Sequence, residues 1–133
     1  MLGCIFCKIV KGEIPCYKIY EDKDWLAFLD ISQIVDGHTL VIPKKHYRWV
    51  WELEGIGELY KVAQKIVKKM QTVSGKEMVV SVTIGNEVAH AHLHLMPQTQ
   101  GNWDEIWAGW RKAASARRLS AAEMEKIRKR FAV

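Results

Sequence analysis

The chain has 133 residues, of which 49% are hydrophobic and 26% charged, and its formal net charge is +5. These values are ordinary for one globular domain that is large enough to bury a core. No apolar run approaches the roughly 20 residues of a membrane-spanning helix, and the start at Met1 is unlike a signal peptide. We therefore expect a cytoplasmic protein. The positive charge favours an anionic partner but does not separate nucleotide from nucleic acid.

The N-terminal part of the chain predicts a short helix followed by three strands. Apolar residues at helical spacing predict a helix over Cys4–Val10, which a following glycine would end. Two runs, Cys16–Tyr20 and Trp25–Leu29, flank a polar turn and predict a β-hairpin. The β-branched run His38–Ile42, which is followed by proline, predicts a third strand.

The middle of the chain predicts one long helix and a fourth strand. Apolar residues recur at helical spacing from Leu53 to Met70 and predict a helix over roughly residues 53–72 that closes near Gly75. Met78–Ile84 predicts the strand. Because the apolar stripe of the helix must cover a sheet, the predicted fold class is α+β, with an antiparallel sheet of about five strands and one long helix packed on it.

Three of the five histidines, His90, His92 and His94, stand at every second position, with small or apolar residues between them. Side chains alternate between the faces of a strand, so this spacing predicts a fifth strand with the three imidazoles on one face. Three polar rings on one face need partners, which favours a functional role. A solvated polar face or a fortuitous metal-binding run is the alternative.

Cys4 and Cys7 form a Cys-x-x-Cys pair in a chain with three cysteines, which indicates a metal or redox site more than a disulfide. A structural zinc would need two further ligands. The candidates are His38, His46 and one histidine of the predicted fifth strand. A thioredoxin-like site is disfavoured, because the βαβ unit that carries such a motif is missing from the predicted elements.

The C-terminal part differs in character from the rest of the chain. Ser120 and Glu123 form a capping-box pattern that predicts a helix to about Arg130, with cations where its dipole favours them. A basic arm for nucleic acid is the alternative interpretation of those cations. Ahead of this helix an aromatic stripe at helical spacing is more typical of a docking or core face than of a ligand site; its residues are Trp103, Ile106, Trp107 and Trp110.

Several blocks in one order resemble the histidine triad (HIT) family of nucleotide-binding hydrolases and transferases, in its zinc-bearing, Hint-like branch. The resemblance covers roughly residues 4–98. It implies a HIT-like fold, a homodimer whose sheet runs through both subunits, and cleavage of a nucleoside phosphate conjugate at its α-phosphate. The blocks are Cys4–Pro15, Leu26–Ser32, Gly37–His46 and His90–Pro97.

The resemblance also implies roles for the histidines. His92 matches the nucleophile that forms a nucleotidyl-histidine intermediate, which requires a neutral imidazole with a free lone pair. His94 matches a donor to the phosphate or leaving group, and His38 matches a histidine that orients the triad. His90 matches the first triad histidine, which in zinc-bearing relatives joins two cysteines and a further histidine in a structural Cys₂His₂ site; here that set is Cys4, Cys7, His46 and His90.

The same resemblance implies a nucleotide site. It places apolar residues against the base and a carboxylate on the ribose hydroxyls, a task that suits the acceptor oxygens of Asp. The phosphate loop before the triad is several residues shorter than is usual in the family. Glu87 stands where a hydroxyl residue is common, and Gln98 stands where Arg is frequent. The implied nucleotide-binding residues are Ile5, Phe6, Ile9, Phe28, Asp30, Ile31, Gly85, Asn86 and Glu87.

We therefore expect a nucleotide domain over residues 1–100, and an aromatic and basic helical extension over residues 101–133 that packs on the same domain or on a dimer partner. The predicted activity is hydrolysis or transfer of nucleoside monophosphates from phosphoramidates, dinucleoside polyphosphates or similar conjugates. One alternative is a catalytically weak nucleotide-binding regulatory protein. The other is a nucleic-acid-binding protein that uses the basic tail.

Overall fold

The computed structural model describes residues 3–98, 104, 108 and 118–133. Their centre is one five-stranded sheet in the order β1-β2-β3-β5-β4, in which every neighbouring pair is antiparallel. This confirms the predicted α+β class and the five-stranded antiparallel sheet. The strands are β1 (Lys18–Glu21), β2 (Trp25–Leu29), β3 (Thr39–Pro43), β4 (Met78–Val82) and β5 (Leu93–Gln98).

In the continuous described ranges, three α-helices pack against the sheet: α1 (Ile5–Val10), α2 (Ile56–Ser74) and α3 (Ala121–Phe131). Helix α2 is the long predicted helix, but it begins three residues later than residue 53, because a separate 3₁₀ turn over Val50–Glu52 comes first. It ends as expected at Gly75, whose φ of 69° is a left-handed conformation that glycine adopts without strain. None of the helices in the described ranges is long and apolar enough to span a bilayer.

The two faces of the sheet carry different cores. Along β2 the odd-numbered positions from Trp25 to Leu29 join the core under α2 and α3, whereas Leu26 and Phe28 join a smaller cluster on the opposite face. The alternation follows from the two-residue period of a strand. We call the face that packs against α2 and α3 the helix face. The opposite face, on which Phe6 of α1 packs, we call the site face.

Helix α3 packs on the helix face. Ser120 caps it through the reciprocal bonds of a capping box with Glu123, as the sequence predicts. Its apolar residues enter the core, and the ring of Phe131 lies so close to Gly37 that a Cβ there would sit 2.8 Å from it. The aromatic stripe that includes Trp103, Ile106, Trp107 and Trp110 lies outside the described residues.

The sequence predicts one strand that carries all three triad histidines, and this prediction is wrong for His90 and His92. Strand β5 starts at Leu93, so His94 lies in the sheet, whereas His90 and His92 lie in the bend before it. The main chain there pairs with a loop instead of a strand, because the Ala91 amide donates to the carbonyl of Tyr47 at 2.7 Å. The ends of β1, β3 and β4 also differ from the predicted ones by one or two residues.

Candidate active site

The three triad histidines come together on the site face although two of them lie outside the strand. The rings of His92 and His94 have centroids 5.0 Å apart. Phe6 on α1 meets the rings of His90 and His92 edge-on, at 5.8 and 5.4 Å. All three histidines are buried. The short helix α1 therefore packs against the rings of His90 and His92 through Phe6.

A backbone carbonyl sets the tautomer of His92. Its Nδ1 lies 2.7 Å from the carbonyl oxygen of His90, and because a carbonyl only accepts, Nδ1 carries the proton. In the neutral ring Nε2 then keeps its lone pair. This is the arrangement that a nucleophilic imidazole needs, with one nitrogen held and the other unprotonated.

His94 and His38 form a second hydrogen-bonded chain. His38 Nδ1 donates to the carbonyl of Ser32 at 3.1 Å, so its Nε2 accepts from Nδ1 of His94 at 2.9 Å. Burial, together with the neighbouring histidines, lowers the pKa of His94 to about 2. Burial also lowers the pKa of His38, against the opposing effect of Asp30. Both rings are therefore neutral near pH 7.

Gln33 holds the loop that carries Asp30 and His38, a role that no pattern in the sequence indicates. It is fully buried, and its Nε2 donates to the carbonyls of Asp30 and His38 at 2.6 and 2.8 Å. Its Oε1 accepts from the amide of Gly37 at 2.9 Å. One side chain thus satisfies three backbone groups across the loop, a function that a single glutamine between two turns does not reveal.

The four predicted zinc ligands form one cluster at the base of the triad. Their donor atoms all lie within 4.8 Å of one another. Nδ1 of His90 is 3.4 Å from Cys4 Sγ, 3.5 Å from Cys7 Sγ and 3.1 Å from Nδ1 of His46. Between the candidates left open by the sequence, the structure brings His46 and His90 to the cysteines and places His38 elsewhere.

The donor set fits a tetrahedral zinc. Usual zinc bond lengths put two nitrogen ligands about 3.3 Å apart and a sulfur and a nitrogen about 3.6 Å apart, close to the observed separations. His90 Nε2 donates to the carbonyl of Pro43 at 2.8 Å, which leaves Nδ1 unprotonated and turned to the cluster, as zinc-bound histidines are oriented. Burial, and then Cys4, raises the pKa of the Cys7 thiol, and a bound zinc would favour the thiolate because metal binding displaces the thiol proton.

The predicted base-binding residues divide into buried and exposed ones. Phe6 and Phe28 meet edge-on at 5.4 Å inside the site-face cluster, with Ile9 packed against it. Ile5 and Ile31 are 46% and 61% exposed. Exposed apolar and buried aromatic side chains are the kinds of group that contact a planar base.

Asp30 lies at the edge of this apolar surface. Its Oδ1 accepts from the amide of Ser32 at 2.8 Å, and its Oδ2 lies 3.7 Å from Nε2 of His38. The side chain remains 20% exposed. The loop thereby fixes one carboxylate oxygen and leaves the other beside the histidine chain.

The short loop before the triad is tightly shaped. Gly85 has a φ of 77°, and a Cβ there would lie 3.0 Å from the ring of Trp49, on which the Arg48 guanidinium stacks at 3.6 Å. Asn86 and Glu87 are exposed. Gln98, at the end of β5, is buried, and its side-chain amide has no hydrogen-bond partner in the described part of the chain.

Comparisons with known proteins show the family of this chain. The HIT domain model matches residues 11–101, and the chain belongs to the HIT family, which confirms the resemblance seen in the sequence. Protein hit of Bacillus subtilis is 40% identical over 119 residues, covering 84% of this chain and 81% of that protein. Adenosine 5'-monophosphoramidase hnt1 of Schizosaccharomyces pombe is 37% identical, covering 82% and 84%.

A solved structure extends the comparison to nearly the whole chain. A Zn-bound histidine triad family protein from Mycobacterium smegmatis superposes with a TM-score of 0.76 at 28% identity, covering 98% of this chain and 94% of that one. The fold is therefore that of the family. A relative named as an enzyme also confirms the prediction that this is an enzyme family.

Proposed function

We propose that this protein hydrolyses or transfers nucleoside monophosphates from conjugates such as phosphoramidates or dinucleoside polyphosphates. The relative named as an adenosine 5'-monophosphoramidase supports the reaction class. The observation that carries the proposal is the tautomer of His92: Nδ1 is held by the carbonyl of His90, so Nε2 has the lone pair.

The proposed reaction has two steps. In the first, Nε2 of His92 attacks the α-phosphorus, an N–P bond forms, and the bond to the leaving group breaks. The resulting cationic nucleotidyl-imidazole keeps its Nδ1–H on the carbonyl of His90, which stabilises the positive charge. In the second step a water or another acceptor attacks the phosphorus. The N–P bond breaks, the nucleotide leaves, and His92 is regenerated.

His94 and His38 are proposed to support this chemistry. His94 lies beside His92 on the site face. Because its Nδ1–H is given to His38, its Nε2 would accept a hydrogen bond from an N–H or O–H of the leaving group or of the attacking water. His38, held by the carbonyl of Ser32, would fix the orientation of His94 through their 2.9 Å contact. His90 would contribute through its carbonyl, which holds His92, and through its ring as a zinc ligand, without contact to the substrate.

Zinc is proposed to be structural. Cys4, Cys7, His46 and His90 would hold it, and when bound it would tie α1 to the base of the triad. Because Phe6 lies on that helix between the two cysteines, the same tether would keep its ring against His92. The zinc-bound relative of the same fold supports this assignment.

The nucleoside is proposed to lie between α1 and the loop after β2. The base would contact Ile5, Phe6, Ile9, Phe28 and Ile31, and Asp30 would accept from the ribose hydroxyls. Gly85, Asn86 and Glu87 would line the phosphate side, where the exposed position of Glu87 keeps its charge in solvent.

We also propose a homodimer. Within the described part of the chain, strand β4 has one neighbour in the sheet, β5, and its side chains are half-buried or exposed although four of the five are apolar. An apolar edge strand with unpaired backbone groups is a surface that another strand covers. Sedimentation equilibrium would test this: a mass of one chain at micromolar concentration contradicts it.

The deciding experiment is a turnover panel with wild-type protein and His92→Ala. The substrates are adenosine and guanosine phosphoramidates, a dinucleoside tetraphosphate and a nucleotide sugar. We expect turnover of at least one substrate, and a loss on the order of 10⁴-fold or more in the variant, as for removal of other nucleophiles. AMP binding by calorimetry is the control for the fold of the variant. Tight AMP binding without turnover in the wild type would make the protein a nucleotide-binding regulator instead.

A further inference from the structure

A second group of metal-ligating side chains includes His94, whose ring lies next to that of His92. Among the described residues, Asp30, His38 and His94 bring one carboxylate oxygen and two imidazole nitrogens to within 4.8 Å of one another. His38 Nε2 is 2.9 Å from His94 Nδ1 and 3.7 Å from Asp30 Oδ2. Around a tetrahedral zinc such ligand atoms would be about 3.3–3.5 Å apart, close to the separations of these two pairs.

Two of these three side chains are already oriented as metal ligands are. His38 donates Nδ1–H to the carbonyl of Ser32, which turns its Nε2 lone pair inward, and a bond of this kind accompanies most metal-bound histidines. Asp30 accepts the Ser32 amide with Oδ1, which leaves Oδ2 towards His38. One residue, Ser32, thus fixes both ligands through its backbone.

We propose that Asp30, His38 and His94 form a second, exchangeable site for zinc or another borderline divalent cation. The ion would take the place of the proton that His94 now shares with His38. That proton moves from Nδ1 to Nε2 of His94, so the ring stays neutral and no oxidant or further reactant is required. Two imidazoles and one carboxylate leave a fourth position for water, as in other three-ligand zinc sites.

Burial indicates the route of entry. His38 and His94 are 1% and 8% exposed, whereas the Asp30 side chain is 20% exposed. An ion would therefore first meet the carboxylate and then the two rings. The consequence for catalysis rests on the proposed function. The ion would bind the Asp30 carboxylate, which is assigned to the ribose, and would fix His94. It would therefore inhibit the enzyme in competition with nucleotide.

Cobalt distinguishes the two clusters, because thiolate ligands give an intense charge-transfer absorption that imidazole and carboxylate do not. Protein that already holds one equivalent of zinc is titrated with Co²⁺ and followed by visible absorption and calorimetry. We expect one further equivalent, with ligand-field bands and no thiolate charge transfer. Asp30→Asn and His38→Gln should each lose that equivalent, and His92→Ala, the matched control beside the site, should keep it.

The proposal is overturned if wild-type protein takes up no second equivalent, if both Asp30→Asn and His38→Gln retain it, or if its spectrum shows thiolate charge transfer. Asp30→Asn preserves the shape of the side chain and an acceptor for the Ser32 amide, so its folding is not in question. AMP saturation separates this proposal from the proposed function: AMP should prevent uptake of the second equivalent. Uptake unchanged by AMP contradicts the ribose role of Asp30 while the metal site stands.

Discussion

The same strands contribute side chains to both faces of the sheet, and the two faces have different roles. On the helix face, residues of β2, β3 and β5 pack against α2 and α3 in an apolar core that runs from Ile19 to Phe131. On the site face the apolar cluster is smaller, and beside it lie four buried histidines whose nitrogens meet carbonyls, thiols or each other. Because side chains alternate along a strand, one residue can serve stability and the next can serve the site.

The difference teaches where each kind of substitution should act. The helix face is closed by α2, with 19 residues, and by α3, with 11, whereas the described cover of the site face is the six-residue α1. Six residues make a marginal helix in water. The structure of the site face therefore depends on interactions between its segments. Here these interactions are the Cys/His cluster and the hydrogen bonds of Gln33.

The sharpest test of this contrast uses one substitution on each face. Ile66 in α2 and Ile42 in β3 are both 0% exposed, and truncation of a buried isoleucine to alanine costs about 2–5 kcal/mol. Ile66→Ala and Ile42→Ala should lower the free energy of unfolding by similar amounts, measured in urea. Only Ile42→Ala, which lies in the cluster with Phe6, should also raise KM for the nucleotide. An equal rise in KM for both would contradict the division.

Removal of the zinc ligands should be next in size. Cys7→Ser should lose bound zinc by metal analysis, whereas Cys16→Ser, which lies outside the cluster, should keep it. If free zinc stands at 100 to 1,000 times its Kd, the lost binding is worth about 2.7–4.1 kcal/mol of stability. Unchanged zinc content in Cys7→Ser would refute the Cys₂His₂ assignment.

Periodic patterns predicted the elements that periodicity governs. Strand β2 and the apolar stripe of α2 follow directly from spacings of two and of three to four residues. The start of α2 was misplaced because Leu53 continues the stripe, although its ψ of 125° is extended. His90 and His92 also have the spacing of a strand, but spacing contains no information about pairing, and the backbone at Ala91 pairs with the Tyr47 loop.

The site was predictable in its members and not in its geometry. The residues alone indicated the histidine run, the cysteines and His46 as a candidate ligand, and the resemblance gave His92 its predicted role as nucleophile. The tautomers, however, are set by the carbonyls of Ser32, Pro43 and His90, and every residue has a carbonyl. Likewise, the sequence shows Gln33 only as a polar residue in a predicted loop. Its burial and its three hydrogen bonds are seen only in the fold.

Gln33 gives a smaller test of how the site face is held. Gln33→Met keeps the size of the side chain but removes the hydrogen-bond partner of the Asp30 carbonyl and of the Gly37 amide, and one of the two donors to the His38 carbonyl. We expect a loss of about 1–3 kcal/mol in stability together with a rise in KM, since Asp30 is no longer fixed. The control is Ser74→Ala, which removes a hydrogen bond at the end of α2; its KM should be unchanged. A normal KM in Gln33→Met would make the residue purely structural.

The smallest expected effect lies at the loop before the triad, where the site face meets solvent. Glu87 is exposed, so its repulsion of a bound phosphate acts through water and amounts to about 0.5–1 kcal/mol. Glu87→Gln should therefore lower KM by about two- to five-fold at low salt, and the gain should fade as salt screens the charge. Glu77→Gln, an exposed carboxylate before the other end of β4, is the matched control and should leave KM unchanged. A change of tenfold or more that persists at high salt would instead place Glu87 in direct contact with the substrate. The short loop would then contribute to substrate specificity, in addition to offering fewer groups that bind phosphate.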